Sequence, residues 1–440
     1  MLNHQMTSYS RTFASSAPSG IIHQLTAEFR MSQLAATLTI SLFVTGYCVG
    51  PILWGPLSER FGRKPIFICS FFLYTLTQMG LALSKNASTV LVLRFIGGSL
   101  AASSVSNCGA VVSDVWDAKT RGKGLAIMSA TPFVGPALGP AVAGFIGAQA
   151  SWRWVFWLLT AFTGLCWLLV VFTVPETYSP VLLVAKARKV RFTTGDERYF
   201  AALERDPMRP MQIFNKVLAL PFKIVCQEPM LIAMTVYLSF TYGCLYLLFE
   251  AYPFVFTYPH NLSSGLAGLT YLPLAFGGVL AIILYVIIFN PRYEDQVRRC
   301  APNPVPPEFR LEMTVIAAPI FAASFFWFAW TSYPSISLWA PLMAGVPLGF
   351  SMCWIFLSLF NYIVDVYLVV AASAVAGCTV FRSLAGAAFP LFAGNMYEKL
   401  GTRWASSLLG FFAVALIPIP FLLMKYGPVL RKYSKFVTSS

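Results

Sequence analysis

Two bundles of membrane-spanning helices are what this sequence predicts: an all-α polytopic membrane protein with about eleven transmembrane segments. Mean hydropathy is +0.69, 57% of the residues are apolar and only 11% are charged, against about 25% charged in soluble domains. Apolar runs of roughly the 20 residues a bilayer requires lie near 35–57, 66–84, 89–113, 125–147 and 153–174. Further runs lie near 230–255, 266–289, 313–332, 336–360, 368–393 and 405–424. Between the two groups, Pro175 to Glu228 holds a cluster of basic residues and no long apolar run. The expected organisation is an N-terminal bundle over 1–174, a cytoplasmic linker over 175–228 and a C-terminal six-helix bundle over 229–440.

A formal net charge of +14 would suit a nucleic-acid partner. Most of the 31 Lys and Arg, however, fall in segments that alternation of the runs puts on one side. That asymmetry is an orientation signal, and no nucleic acid is expected. Nine cysteines are scattered singly, mostly inside apolar runs (Cys48, Cys69, Cys108, Cys166, Cys244, Cys353, Cys378), and His4, His23 and His260 lie far apart. No metal spacing or CxxC pair is readable, and the cysteines read as small core- or lipid-facing residues. No G-x-x-x-x-G-K-[ST] loop and no GxGxxG stretch occurs, so ATP-driven transport is not supported. With no Ser/His/Asp set either, no enzyme activity and no cofactor is expected.

The most specific stretch is GPLSERFGRK, Gly55 to Lys64, in the short polar gap between the first two runs. Gly55 and Gly62 let the backbone turn at low steric cost. Glu59 stands beside Arg60, Arg63 and Lys64, which pin the gap to the cytoplasmic face. The stretch closely resembles the signature loop between helices 2 and 3 of the major facilitator superfamily, G-x-L-(D/E)-R-x-G-R-K. The resemblance implies that superfamily's two-bundle fold and a membrane transporter. With this loop inside, the Asn-x-Ser sequons at Asn86 and Asn261 both fall outside, where N-glycosylation is feasible.

From Phe13 onward nearly the whole chain resembles the fungal drug:proton antiporters of this superfamily. FASSAPSGIIHQLTAEF, Phe13 to Phe29, is similar to the outer end of their helix 1 and the loop after it. The preceding residues, MLNHQMTSYSRT, are polar and too short to cross a bilayer, so most of helix 1 of the usual twelve is expected to be missing. Arg94 in LRFIGGSLAASS resembles the buried arginine that the family places in helix 4 and links to proton coupling. An arginine snorkelling from a helix end is the alternative. Asp114 resembles the acid that meets the signature loop, so Glu59, Arg63 and Asp114 are expected to form a conformational latch. A solvated turn with weak surface pairs is the alternative there.

TPFVGPALGPAVAGF, with Gly135, Pro136, Gly139, Pro140 and Gly144, resembles the Gly-Pro motif of proton-coupled antiporters, which implies export rather than uptake. Its small residues permit close helix contact and its prolines favour a bend. PETY, Pro175 to Tyr178, is a further resemblance without chemistry of its own. Glu250 is a lone carboxylate in the apolar stretch LLFEAYPFVF. Desolvation favours the neutral form of such a group, which makes it a candidate proton carrier; a residue at the outer helix end in contact with water is the alternative. FNYIVDVY resembles the family's helix 10 ending, with Asn361 and Asp365 as cavity candidates. Arg382 resembles the helix 11 arginine, and Asp365 is its expected partner. The aromatics Trp327, Trp330, Trp354 and Phe356 read mainly as packing or lipid-facing residues.

Together these features imply a proton-coupled exporter, an antiporter of small amphipathic compounds such as drugs, toxins or secondary metabolites. A transport-deficient truncated pseudo-transporter or membrane sensor is the alternative. The expected partners are a small-molecule substrate, protons and the lipid bilayer. The expected state is a monomer in the plasma membrane, with the vacuolar membrane as the other candidate.

Overall fold

The computed structural model describes residues 2–115, 124, 131–205, 219–260, 262–301, 303, 305–333 and 335–436. Among them every regular element is a helix. In the first half, α1 (Leu2–Ser16) continues through a 3-10 turn (Ala17–Ile21) into α2 (Ile22–Phe29). There follow α3 (Gln33–Phe61), α4 (Arg63–Ala82), α5 (Ala87–Ala101), α6 (Ser103–Val115), α7 (Thr131–Gln149) and α8 (Arg153–Thr173). The segment between the halves carries α9 (Ser179–Thr194), α10 (Ala202–Arg205) and α11 (Leu220–Gln227). Arg191 clasps Glu204 there with two hydrogen bonds of 2.9 and 2.8 Å. That clasp holds the Glu204 carboxyl down at about 2.

The second half comprises α12 (Pro229–Tyr252), α13 (Ser264–Leu269), α14 (Leu272–Leu284), α15 (Asn290–Cys300), α16 (Glu312–Thr331), α17 (Trp339–Val366), α18 (Ala371–Leu416) and α19 (Pro418–Tyr433). Ten stretches among the described residues are long and apolar enough to cross a membrane. The last, Ala371–Tyr433, is 63 residues long and contains two of the runs seen in the sequence. Gly401, at φ +72°, breaks α18 between them, a backbone position that glycine adopts without steric cost. All the expected runs therefore have their helices.

Helix starts at one end of the molecule are capped by side chains. Ser32, Asn86 and Ser263 accept the backbone N–H groups of Ala35, Thr89 and Leu266 at 3.2, 3.0 and 3.5 Å, satisfying donors that a helix start leaves unpaired. Asn86 is exposed; Asn261 lies outside the described residues. At the other end, the polar gap shrinks to a single non-helical residue. α3 runs on to Phe61, and Gly62, at φ +97°, turns the chain directly into α4.

The expectation that most of helix 1 is missing needs correction on one point: residues 2–12 are helical, and most of the stretch from Thr7 to Thr12 is buried. Thr7, Ser10, Thr12, Ser15 and Ser16 are all at most 2% exposed. Three of these hydroxyls bend back onto the helix: Thr12 donates to the Ser8 carbonyl at 3.0 Å, Ser15 to that of Thr12 at 2.7 Å and Ser16 to that of Phe13 at 3.3 Å. A polar helix is tolerated because protein, not lipid, surrounds it and the hydroxyls of Thr12, Ser15 and Ser16 are already satisfied.

α7 supplies that protein wall. A Cβ at Gly135 would run into Thr12, and one at Gly139 into Ser16 and the Phe13 carbonyl. Further along, a Cβ at Gly144 would strike the backbone of Ser264 in α13, and one at Gly268 the backbone of Pro140 and Ala141. One glycine- and proline-rich helix thus packs on α1 within its own half and on α13 across the two halves. A second seam joins α3 to α18, where the Cys48 thiol approaches the Val380 carbonyl at 3.5 Å.

Gly139→Val should therefore force α1 off α7. Ordinary overpacking costs about 1–3 kcal/mol, and the facing atoms here include backbone that cannot swing away. The expected result is a clear fall in the thermal transition of the purified protein. Gly394→Ala, where nothing lies within 4 Å of the added Cβ, should leave it unchanged.

Candidate functional site

At the Gly62 end, the start of α4 is held by charge. The Arg63 guanidinium lies 3.5 Å from Asp114 at the end of α6. It also donates to Ser58 Oγ at 2.5 Å and Asn107 Oδ1 at 3.3 Å, and sits 4.8 Å over the Tyr178 ring. Burial, and then the Glu59 carboxylate, pushes the Tyr178 hydroxyl up. The second carboxylate of the cluster is not the expected Glu59, for which no ion pair exists among the described residues. It is Glu176, which accepts the backbone N–H groups of Arg63 and Lys64 at 2.9 and 3.1 Å. The same carboxylate closes its own turn by accepting from Thr177 and Tyr178, each at 3.0 Å. A carboxylate at a helix N-terminus satisfies orphan donors and opposes the positive end of the helix dipole. PETY thus has chemistry that its sequence alone did not disclose. Gly62 is required beside it, since a Cβ there would collide with the Glu176 carboxylate. Gly55 has open space around it, and Arg60 stacks on Phe61 at 5.5 Å.

The second half repeats this arrangement. Arg310, just before α16, pairs with Asp365 near the end of α17 at 2.9 Å and lies 3.5 Å over the Tyr293 ring. Glu308 beside it binds Arg431 of α19 at 2.9 Å. The expected Arg382–Asp365 pair is therefore overturned: Asp365 lies near the end of α17, where Arg310 meets it, whereas Arg382 stands deeper, in α18. Asn361 turns back to the Leu357 carbonyl at 2.6 Å. Trp327 and Trp330 are 47% exposed on the outside of the bundle, as expected of lipid-facing rings.

Three arginines are buried deeper. Arg94 is wholly buried and donates to the Thr39, Ala14 and Ser15 carbonyls at 2.6, 2.9 and 3.2 Å, with its guanidinium 4.2 Å from the Phe43 ring. It staples α1, α3 and α5 together, and its partners are carbonyls rather than an acid. Arg382 is 8% exposed and stacks on Tyr242 and Phe360 at 4.8 and 5.3 Å. Arg11, which the sequence reading passed over, is 8% exposed and lies 5.2 Å over Tyr47.

Glu250 is 4% exposed and accepts a hydrogen bond of 3.1 Å from the Thr37 hydroxyl. It is not a wetted helix-end residue. Thr37 belongs to α3 and Glu250 to α12, so this bond crosses between the halves close to the Asn86 end. A second bridge, Ser15 Oγ to the Tyr246 hydroxyl at 2.9 Å, crosses deeper. The geometry joins a buried carboxylate, an apolar aromatic interior and seams of small residues at the boundary between two helical halves.

That architecture is two helical bundles meeting along a buried seam. The Major Facilitator Superfamily model matches residues 8–390, and the chain belongs to that superfamily: an integral membrane transporter, not an enzyme. The chain is 41% identical over 428 residues, 97% of its length and 70% of the relative's, to the major facilitator superfamily multidrug transporter mdrA of Aspergillus fumigatus. It is 38% identical over 431 residues, 98% of its length and 72% of the relative's, to the efflux pump FUB11 of Gibberella moniliformis. Among solved structures, the proton:xylose symporter XylE matches with a TM-score of 0.65 at 15% identity, over 97% of this chain and 94% of that one.

Glu176→Gln should destabilise the protein by about 1–2 kcal/mol, since it weakens the charge-assisted caps on Arg63 and Lys64. Glu59→Gln should stay within about 0.5 kcal/mol of the parent. Thermal unfolding in detergent separates the two.

Proposed function

We propose that this protein is a proton-coupled efflux antiporter of small amphipathic organic compounds, drugs, toxins or secondary metabolites among them. It works as a monomer, and the plasma membrane is its proposed location. The observation that carries the coupling is the Glu250–Thr37 bond across the seam between the halves. A buried ionised carboxylate is costly and a neutral carboxyl much less so. Parting of the halves at the Asn86 end, taken as the outer face, exposes Glu250 to outside water. Proton uptake then lowers the cost of closing again, so the inward gradient drives the return step. The names of the relatives, a multidrug transporter and an efflux pump, support the outward direction.

The Arg63–Asp114 and Arg310–Asp365 pairs act in this scheme as matched latches at the cytoplasmic end, each within one half. Such pairs hold helix ends in one of two packings and release them in the other. The Gly135–Gly144 face of α7 provides the smooth surface against which the halves rock. Arg94 keeps the first half rigid while this happens.

Expression in a pump-deficient yeast strain, challenged with a panel of toxic compounds, should give rescued growth. Collapsing the proton gradient with an ionophore should stop export while ATP remains plentiful. Glu250→Gln, which keeps the shape but cannot ionise, should abolish proton-driven export; export by that variant at the parent rate, still sensitive to the ionophore, would place the proton site elsewhere. Arg63→Ala or Asp114→Ala should slow export several-fold, with surface labelling showing normal insertion. Undiminished rates in both would reduce the cluster to a solvated turn.

A further inference from the structure

We propose that the transported compounds include organic anions, and that Arg11 and Arg382 clamp the negative group between the two halves, with aromatic carboxylates as the simplest class. This deepens the efflux reading and rests on the parting of the two halves that it invokes. Arg11 stands on α1 of the first half and Arg382 on α18 of the second. Each is 8% exposed and well inside its bundle. Arg11 lies over Tyr47 and Arg382 over Tyr242, and the two sites are joined across the boundary where the Ser15 hydroxyl of α1 meets Tyr246 at 2.9 Å, the neighbour of Tyr242. The Nε atom of each arginine is buried without a hydrogen-bond partner.

Among the described residues, neither arginine is paired with a carboxylate. The acids that could have served are engaged elsewhere: Asp365 with Arg310, Glu308 with Arg431, and Glu250 with Thr37. Two guanidinium charges held away from water are each costly, and ring faces compensate them only in part. An anion entering between them relieves both penalties at once, and the planar forks of arginine N–H groups match a carboxylate. A cation would add a third positive charge to the same place. The surrounding rings favour a flat apolar body on that anion. Tyr242 lies 5.0 Å from Tyr246 and 5.9 Å from Phe356, and Phe356 lies 5.9 Å from Phe133 of the other half. Arg11 and Arg382 therefore differ from Arg94, whose donors are spent on backbone carbonyls.

The test uses the purified full chain in nanodiscs and three probes of one shape: naphthoate, naphthamide and naphthylmethylammonium. Isothermal titration should show naphthoate binding about tenfold or more tighter than the other two, the effect of a charge-assisted pair. Arg382→Gln and Arg11→Gln should each remove that preference, while Arg382→Lys should retain part of it. Equal binding of the three probes, or preference for the ammonium, overturns the proposal. So does an anion preference that survives in both folded Gln variants. If one Gln variant elutes as aggregate on size exclusion, the other variant and the parent ranking still decide. Proteoliposomes with an imposed pH gradient separate this from the efflux reading. Naphthoate binding without proton-driven movement leaves the clamp standing and overturns coupling. Proton-driven movement of the ammonium without any anion preference does the reverse.

Discussion

Close backbone contact along α7 is the constraint on which the rest of this structure depends. Gly20 and Gly268 reach the Pro140 carbonyl from opposite halves of the molecule. Side chains at the glycines of α7 would push α1 off one face and α13 off the other. Such contact stabilises through van der Waals packing without interlocking side chains. A seam of that kind can part and close again without long side chains having to disengage and find new rotamers. The same feature that fixes the position of α1 therefore suits the boundary to rocking of one half on the other.

The fold was legible in the sequence wherever a bilayer imposes a rule. Lipid demands long apolar runs and fully paired backbone, and each expected run has its helix. Legibility failed where protein replaces lipid. α1 reads as too polar because hydropathy counts each hydroxyl as a cost, whereas Thr12 and Ser15 satisfy theirs on the preceding turn. Arg11 was lost with that segment. Glu176 was passed over because capping is a spatial relation: a carboxylate reaches helix starts more than a hundred residues earlier in the chain. The pairing of Arg63 with Asp114 was readable because both lie in recognisable motifs.

Asp365 shows a different failure. Its pairing with Arg382 linked two polar residues that stand close in sequence without asking at what depth each lies. The repeat supplies the missing rule. Arg63 opens α4 and Asp114 closes α6; Arg310 precedes α16 and Asp365 lies near the close of α17. Both pairs join the start of one spanning helix to the end of the next, as an internal repeat of the fold requires. Had the halves been aligned to each other first, Arg310 would have been the natural partner and Arg382 would have stood out as unclaimed.

The buried arginines can then be ordered by what holds them. Arg94 is bound by three carbonyls of its own half, which cannot change charge or leave, so it is a fixed part of the scaffold. Arg63 and Arg310 are bound by carboxylates at helix ends, where a small shift of one helix lengthens the pair and water can replace it. Arg11 and Arg382 are bound mainly by ring faces, and the Nε–H of each is left without an acceptor. A ring face compensates only part of the cost of a cation away from water. Arg94, Arg63 and Arg310 have that cost met by carbonyls and carboxylates; for Arg11 and Arg382 it remains, on facing elements of the two halves, and it is there that an incoming negative charge has the most to offset.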